Sequence, residues 1–240
     1  MSASLLQLSD PHLLADPNGC HRGVQARANF VEALAQAQSL LPAPADLLLL
    51  TGDLCQDESW LGYVALRELL TPLALPVALL AGNHDHPQLL RACLGRQAVI
   101  APALLAFGEW WLLLLDSHCP GQIAGRVPEP QLRWAEQRLR QCRGPVLLAV
   151  HHPPDDMLDG QDWLQRLAAV ADLRLILVGH IHQHRRESWA AATLLGCPST
   201  LLQFPPRQPC PLAKANWPGG RYLRLEAGGN WSDELLRWPA

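Results

Sequence analysis

Aspartate, asparagine and histidine recur in five short segments, each directly after an apolar run typical of a buried strand. The segments are Asp10-Pro-His12, Gly52-Asp53, Gly82-Asn83-His84-Asp85, His151-His152 and Gly179-His180-Ile181-His182. Their carboxylate, amide and imidazole groups are the donors that suit Mn, Fe, Zn or Mg ions. Chance recurrence at five strand ends is a poor explanation in a chain with 10 histidines. The pattern therefore predicts one metal centre built from distant segments.

Five apolar runs position these donors. They are Ser4–Leu8, Asp46–Leu50, Val77–Leu80, Pro145–Val150 and Leu173–Val178. In an α/β fold the ligand-binding loops lie at the carboxyl ends of the strands. We therefore expect the donors to converge at one edge of a sheet or sandwich.

Helical periodicity separates these runs and changes to short strand-like segments near the C-terminus. It predicts helices over Gln25–Leu41, Glu58–Leu70, Gln88–Leu94, Glu129–Gln141 and Gln161–Ala171. After His182 the pattern predicts strands over Arg186–Ala190, Ala192–Leu195, Thr200–Phe204, Arg221–Glu226 and Asn230–Arg237. We expect this C-terminal part to be antiparallel.

Length and composition are typical of one globular domain, expected to span residues 1–240. Of the 240 residues, 49% are hydrophobic and 17% charged, enough apolar material for a sizeable core. The apolar runs are much shorter than the roughly 20 residues that cross a membrane, and the N-terminus lacks the pattern of a secretory signal. These features predict a cytoplasmic protein without membrane contact.

Cysteine content and charge narrow the expected partners. The seven cysteines show no C-x-x-C pair, which predicts reduced thiols. The net charge of −3 offers no general attraction for long nucleic acid. A small anion held by metal ions is the expected partner, and the oligomeric state, including a homodimer, stays open.

Spacing and donor type suggest which residue serves which ion. Asp10 and His12 are two residues apart, so an extended backbone points both side chains to one side. The two oxygens of Asp53 could bridge cations about 3.5–4 Å apart. Asn83 adds a neutral amide oxygen. We expect one ion at Asp10, His12, Asp53 and His182, and the other at Asp53, Asn83, His151 and His180.

Two assignments rest on position alone. His151 follows its strand immediately and is favoured over His152 as the ligand, with His152 orienting its neighbour. His21 and Arg22 lie in the loop after the first ligand pair. A contact with substrate phosphate is one interpretation, and a solvated loop is the favoured one.

The ordered motifs resemble those of the calcineurin-like metallophosphoesterase superfamily and, within it, the bacterial class III 3′,5′-cyclic-AMP phosphodiesterases. The narrower resemblance rests on Leu113-Leu114-Leu115-Asp116-Ser117, His151-His152-Pro153-Pro154, Gly179-His180-Ile181-His182-Gln183 and Pro198-Ser199-Thr200 followed by Gln203-Phe204. It implies a four-layer αββα sandwich with a dinuclear centre at the strand ends. Fe and Mn are the ions implied, with Zn, Co or Mg as alternatives.

The resemblance also implies a hydrolase that opens a cyclic nucleotide to its 5′-monophosphate. Two cations would neutralise the phosphodiester and ionise the attacking water. We expect His84 to face the leaving oxygen, as a general acid or as a charge-stabilising donor, and Asp85 or another carboxylate to hold the tautomer of His84. Asn83, His84 and His182 are the expected substrate contacts.

Two alternatives remain beside this interpretation. The first is a broader phosphodiesterase acting on small diesters such as glycerophosphodiesters. The second is a binding scaffold without catalysis, which is disfavoured because no expected ligand is missing. The choice between cyclic AMP and cyclic GMP stays open, since it depends on loop geometry.

Overall fold

Fourteen strands and five α-helices form within the described residues, 2–212 and 214–239, of this computed structural model. The strands are β1 (Ala3–Leu8), β2 (Cys20–His21), β3 (Val24–Gln25), β4 (Leu47–Leu50), β5 (Val77–Leu79), β6 (Val99–Ile100), β7 (Ala103–Phe107), β8 (Trp110–Leu114), β9 (Pro145–Ala149), β10 (Asp172–Val178), β11 (Arg185–Trp189), β12 (Ala192–Gly196), β13 (Gly219–Leu225) and β14 (Trp231–Arg237). The helices are α1 (Ala26–Leu40), α2 (Trp60–Leu70), α3 (Pro87–Leu94), α4 (Glu129–Leu139) and α5 (Asp162–Ala168).

Twelve of the strands form two six-stranded mixed sheets. The first has the order β14-β13-β1-β4-β5-β6, and the second has the order β11-β12-β10-β9-β8-β7. Strands β1, β4, β5 and β6 run parallel, as do β8, β9, β10 and β12. Antiparallel strands complete each sheet, and β2 pairs with β3 as a separate hairpin. The parallel strands at the centre therefore end on a common edge.

Three apolar layers explain why the central strands are continuous leucine runs rather than alternating ones. In β1, Leu6 and Leu8 pack with the core on the side of α1, α2 and α3, whereas Leu5 packs between the two sheets. Helices α4 and α5 cover the outer face of the second sheet. Strands buried on both faces need apolar residues at every position. The result is the four-layer αββα sandwich expected from the sequence.

The helices form where the periodicity predicts them, with ends shifted by a few residues, whereas the prediction of a strand over Thr200–Phe204 is wrong. The Ser199 hydroxyl accepts hydrogen bonds from the backbone N–H groups of Leu201 and Leu202, at 2.9 and 3.3 Å. This side-chain turn competes with strand pairing. The C-terminal strands pair antiparallel as expected, β11 with β12 and β13 with β14, although β12 also lies parallel to β10.

Within the described part of the chain, no helix has the length and apolar character needed to span a bilayer.

Candidate metal centre

Ligand-type side chains converge at the shared strand edge in two clusters. In each cluster the ligand atoms lie within 4.8 Å of one another. One cluster comprises Asp10, His12, Asp53 and His182, and the other comprises His151, His152 and His180. Asn83 adjoins the second, with its Oδ1 3.3 Å from His151 Nε2 and 3.0 Å from His180 Nδ1.

Strained backbone directs several of these side chains. Asp10, His12, Asp53, His180 and His182 all have positive φ, between 49° and 65°. They are five of the nine non-glycine residues in this region of φ among those described. Such conformations cost about 1–3 kcal/mol each and concentrate at functional sites. The surrounding fold therefore holds these residues in place against a local preference for other conformations.

Two glycines allow the loops to approach closely enough. A Cβ at Gly82 would lie 2.2 Å from Asp53 Oδ1, and a Cβ at Gly52 would lie 2.3 Å from His151 Nδ1. Real Cβ atoms do not come so close to their neighbours, so any side chain here would displace a candidate ligand.

The Asp53 carboxylate lies between the two clusters. Its Oδ1 is 3.5 Å from His151 Nε2, and its Oδ2 is 3.8 Å from His12 Nε2. Each oxygen thus faces an imidazole of a different cluster. A ligand that bridges two cations needs this arrangement.

Backbone carbonyl groups set the tautomers of two histidines. Nδ1 of His151 donates to the carbonyl oxygen of Thr51 at 2.6 Å, and Nδ1 of His182 donates to that of Leu202 at 3.0 Å. A carbonyl oxygen can only accept, so Nδ1 carries the proton in each ring. In the neutral rings, the lone pairs of Nε2 face the site, the form in which histidine binds a metal ion.

The third imidazole, His12, is oriented in the same way by a side chain. Its Nδ1 lies 2.7 Å from Gln56 Oε1 and donates to it, which leaves Nε2 as an acceptor. That Nε2 is 3.2 Å from Nε2 of His182. Two nitrogen lone pairs that face each other repel, whereas a cation between them would be ligated by both.

Asp10 provides an independent test of whether the site fits a cation. Its carboxylate is fully buried, and Oδ2 has no hydrogen-bond partner. Oδ1 accepts from the backbone N–H of His180 at 3.1 Å and lies 3.4 Å from His182 Nε2. A buried carboxylate oxygen without a donor is costly. A metal ion would satisfy it, so the residues present fit the ions that the donor set suggests.

Burial and mutual charge keep most of the ligand-type groups in their metal-binding forms. Burial lowers the pKa of His12 and of His180 to about 4, despite the carboxylate of Asp53. Burial alone would raise the pKa of Asp53, but His151 and other imidazoles hold it well below its ordinary value. Burial likewise disfavours protonated His151, yet Asp53 outweighs it and raises the pKa of His151 to about 9. The negative charge that favours a proton on His151 also favours a metal ion.

His152 differs from His151 although it lies in the same cluster. Its Nε2 donates to the carbonyl oxygen of Ile123 at 2.9 Å, and its Nδ1 accepts from the Ser117 hydroxyl at 2.8 Å. Burial lowers its pKa to about 2, so the ring is neutral. Both ring nitrogens are already in use. The geometry therefore favours His151 as the ligand and His152 as its packing neighbour, with ring centroids 4.6 Å apart.

We expect alanine substitutions to separate the two histidines. His151→Ala should lower the metal content from about two ions per chain towards one, because its free Nε2 faces Asp53 and Asn83. His152→Ala should keep both ions and lower turnover about 10–100-fold, the usual effect of losing a residue that orients a metal ligand. Elemental analysis of the purified variants checks this. Greater metal loss from His152→Ala would transfer the ligand role to that residue.

Gln56, which the sequence analysis did not single out, connects His12 to His84. Because its Oε1 takes the proton of His12, its Nε2 faces His84 Nδ1 at 3.1 Å and donates to it. His84 therefore carries its proton on Nε2. The backbone N–H of His84 donates to Asp53 Oδ1 at 2.9 Å, which holds this loop beside the carboxylate between the clusters. No local motif marks Gln56, since its role depends on two loops meeting.

The structure corrects the role expected for Asp85, because the residue that contacts His84 Nδ1 is Gln56. Asp85 is fully buried and accepts hydrogen bonds from the backbone N–H groups of Leu54, Cys55 and Gly82 and from the hydroxyl of Tyr63, at 2.8–3.0 Å. It thus joins the loop that carries Asp53 to the loop that carries Asn83. Burial, aided by the charge of Asp53, raises its pKa to about 7.

We expect Asp85→Ala to destabilise the fold rather than to act on chemistry. Removing the carboxylate leaves several buried donors without an acceptor, which should lower the free energy of unfolding by about 2–4 kcal/mol. Urea unfolding at saturating metal measures this, with Asp162→Ala on the exposed face of α5 as the control. A loss below about 1 kcal/mol would contradict the joining role.

Comparisons with known proteins agree with this geometry. The family model described as calcineurin-like phosphoesterase matches residues 3–184. The chain is 43% identical to a probable cyclic nucleotide phosphodiesterase of Synechococcus sp. strain WH7803, over 98% of this chain and 97% of that protein. It is 34% identical to the 3′,5′-cyclic adenosine monophosphate phosphodiesterase CpdA of Escherichia coli K12, over 97% of this chain and 89% of that protein.

Among solved structures, a dimetal phosphatase from Danio rerio superposes with a TM-score of 0.66 at 13% identity. The match covers 98% of this chain and 99% of that one. At this identity the match shows the shared fold alone.

Proposed function

The chain belongs to the calcineurin-like phosphoesterase family, and on that premise we propose that it hydrolyses 3′,5′-cyclic nucleotides, cyclic AMP in particular, to 5′-monophosphates. It is a phosphoric diester hydrolase. The observation that carries the proposal is the 34–43% identity, over nearly the full chain, to proteins named cyclic nucleotide phosphodiesterases. The intact donor set supports it, because a scaffold without catalysis has no need of the ligands.

We assign two ions to the site. Asp53 would bridge them; Asp10, His12 and His182 would complete one, and Asn83, His151 and His180 the other. Fe and Mn suit this mixture of carboxylate, amide and imidazole donors, as do Zn, Co and Mg to differing degrees. When bound, the ions supply positive charge for the phosphoryl oxygens and lower the pKa of water to near neutrality.

The side chains contribute positioning and a proton. Asn83 and His182 border the place between the clusters where the phosphate would lie. His84, with its proton on Nε2, would donate to the ribose 3′-oxygen as the bond from phosphorus to that oxygen breaks. A new bond from water oxygen to phosphorus forms, and the product is the 5′-monophosphate.

The unpaired cysteines and the shared core support two further proposals. All seven cysteines are unpaired, as is usual in reducing compartments, so we place the protein in the cytoplasm. The two sheets share one apolar layer, and both contribute to the metal centre. We therefore treat residues 1–240 as a single domain.

A substrate screen on metal-analysed protein tests the function. We expect about two ions per chain and conversion of cyclic AMP to 5′-AMP, with cyclic GMP, glycerophosphocholine and a nitrophenyl diester as comparison substrates. Hydrolysis of glycerophosphocholine without either cyclic nucleotide would favour the broader phosphodiesterase. Full activity at a metal content near zero would disprove the dinuclear centre.

A further inference from the structure

The hairpin formed by β2 and β3 lies between the first ligand pair and α1. Cys20 pairs with Gln25 and His21 with Val24. The two turn residues, Arg22 and Gly23, have φ values of 49° and 84°. Two consecutive positive φ angles are the mark of a tight type I′ hairpin turn. The turn therefore gives Arg22 a defined place at the tip.

This hairpin packs against the metal centre, contrary to the expectation of a solvated loop. The ring of His21 stacks on that of His12, with centroids 5.0 Å apart and planes 15° apart. On the adjoining side, the Phe204 ring stacks on His182, with centroids 4.2 Å apart and planes 2° apart. The guanidinium carbon of Arg22 lies 5.4 Å from the centre of the Phe204 ring. His12 and His182, whose imidazoles face each other across the first cluster, are thus each stacked against a second ring.

Arg22 has charge and a flat surface to offer a ligand. Its side chain is exposed, and none of the ion pairs found among the described residues includes it. The guanidinium contacts Phe204, and the residue as a whole is exposed to solvent. A guanidinium stacks on planar groups and donates up to five hydrogen bonds.

The contacts of Phe204 indicate which part of a substrate Arg22 meets. In the function proposed above, the phosphate would lie between the two clusters, close to His182. Phe204 contacts both the His182 ring and the exposed guanidinium of Arg22, so Arg22 lies at the solvent-facing border of the first cluster and not among its ligand atoms. A group at that border is placed to meet what the phosphate carries, and in a cyclic nucleotide the outermost planar group is the base.

We propose that Arg22 is a substrate-binding residue that recognises the nucleobase, with Phe204 supporting its guanidinium and the hairpin directing it. The proposal rests on the function proposed above. Stacking of a base on a side chain contributes about 1–3 kcal/mol, so the site should favour diesters that carry a planar base over those that do not.

Binding of the reaction product separates base contact from phosphate contact. The probes are 5′-AMP and ribose 5-phosphate, which share the phosphate and ribose, titrated calorimetrically into the metal-loaded full chain. We expect wild type to bind 5′-AMP about tenfold more tightly than ribose 5-phosphate. Arg22→Gln should abolish this preference for 5′-AMP and leave the affinity for ribose 5-phosphate unchanged. Arg22→Lys, which keeps the positive charge but lacks the planar guanidinium, should also lose most of the preference for 5′-AMP.

The control is Arg27→Gln, which removes the same charge five residues along the chain, from a residue paired with Glu68 at 3.1 Å. Arg27→Gln should keep the full preference for 5′-AMP over ribose 5-phosphate. An equal loss of affinity for both probes in Arg22→Gln would overturn the proposal in favour of a phosphate contact, and no change in either would also overturn it. Cyclic AMP turnover by wild type in the same preparation is the separate readout for the proposed function.

Discussion

Replacing Asp53 with alanine should remove most of the bound metal and lower turnover by at least about 10³-fold. Its two oxygens are the groups that face imidazoles of both clusters, at 3.5 and 3.8 Å. Without them each ion loses a charged ligand, and the two positive charges lose the carboxylate between them. Elemental analysis after dialysis gives the metal content, and initial rates on cyclic AMP give the turnover.

Two further variants make this test specific. Asp10→Ala should weaken one ion more than the other, because the Asp10 carboxylate belongs to the first group of ligand atoms, with His12, Asp53 and His182. Asp162→Ala, on the exposed surface of α5, should change neither quantity. Unchanged metal content and turnover in Asp53→Ala would show that this residue does not bridge the ions.

The second large effect is expected at His84, where substitution should slow chemistry without loss of metal. His84→Ala should retain both ions and lower turnover on cyclic AMP by roughly 10²–10⁴-fold, the usual range for a lost general acid. The reason is geometric. Gln56 holds Nδ1 of His84 as an acceptor, which leaves a proton on Nε2 for the leaving oxygen.

Leaving-group dependence tests that role directly. A nitrophenolate scarcely needs a proton, so the deficit of His84→Ala should shrink on a nitrophenyl diester. His86→Ala is the matched control, since His86 is a neighbouring histidine whose ring accepts a hydrogen bond from Leu89 N–H at the start of α3. Equal deficits on both substrates at full metal occupancy would instead assign His84 to electrostatic stabilisation.

The sequence predicts the strands and helices that position the site well, because these elements depend on local patterns. Leucine-rich runs as short as Leu47–Leu50 are typical of a strand buried on both faces. Each such run ends next to a short polar segment, so the sequence places Asp10, Asp53 and His180 at strand ends, whereas their meeting also depends on how the two sheets pack. Helix ends are less well predicted, as at α5, because fraying and capping depend on the chain that follows.

What the sequence does not reveal depends on contacts between distant loops. Gln56 belongs to no motif and Ser117 is only the last residue of one, and neither shows a role until folding brings them to His12 and His152. Asp85 adjoins His84 in the chain, yet its carboxylate turns away to four other donors. The hairpin at Arg22 is too short to show a strand period, and only its stacking partners from other loops reveal where it lies.

The origin of the ligands in two different sheets has a mechanical consequence. Asp10 follows β1 and Asp53 follows β4 in the first sheet, whereas His182 follows β10 in the second. An ion held by all three residues would cross-link the sheets at one end. Elsewhere the sheets are held together by the apolar layer packed between them. Chelation should therefore loosen that end of the sandwich first, and the melting temperature should rise with free metal concentration as mass action requires.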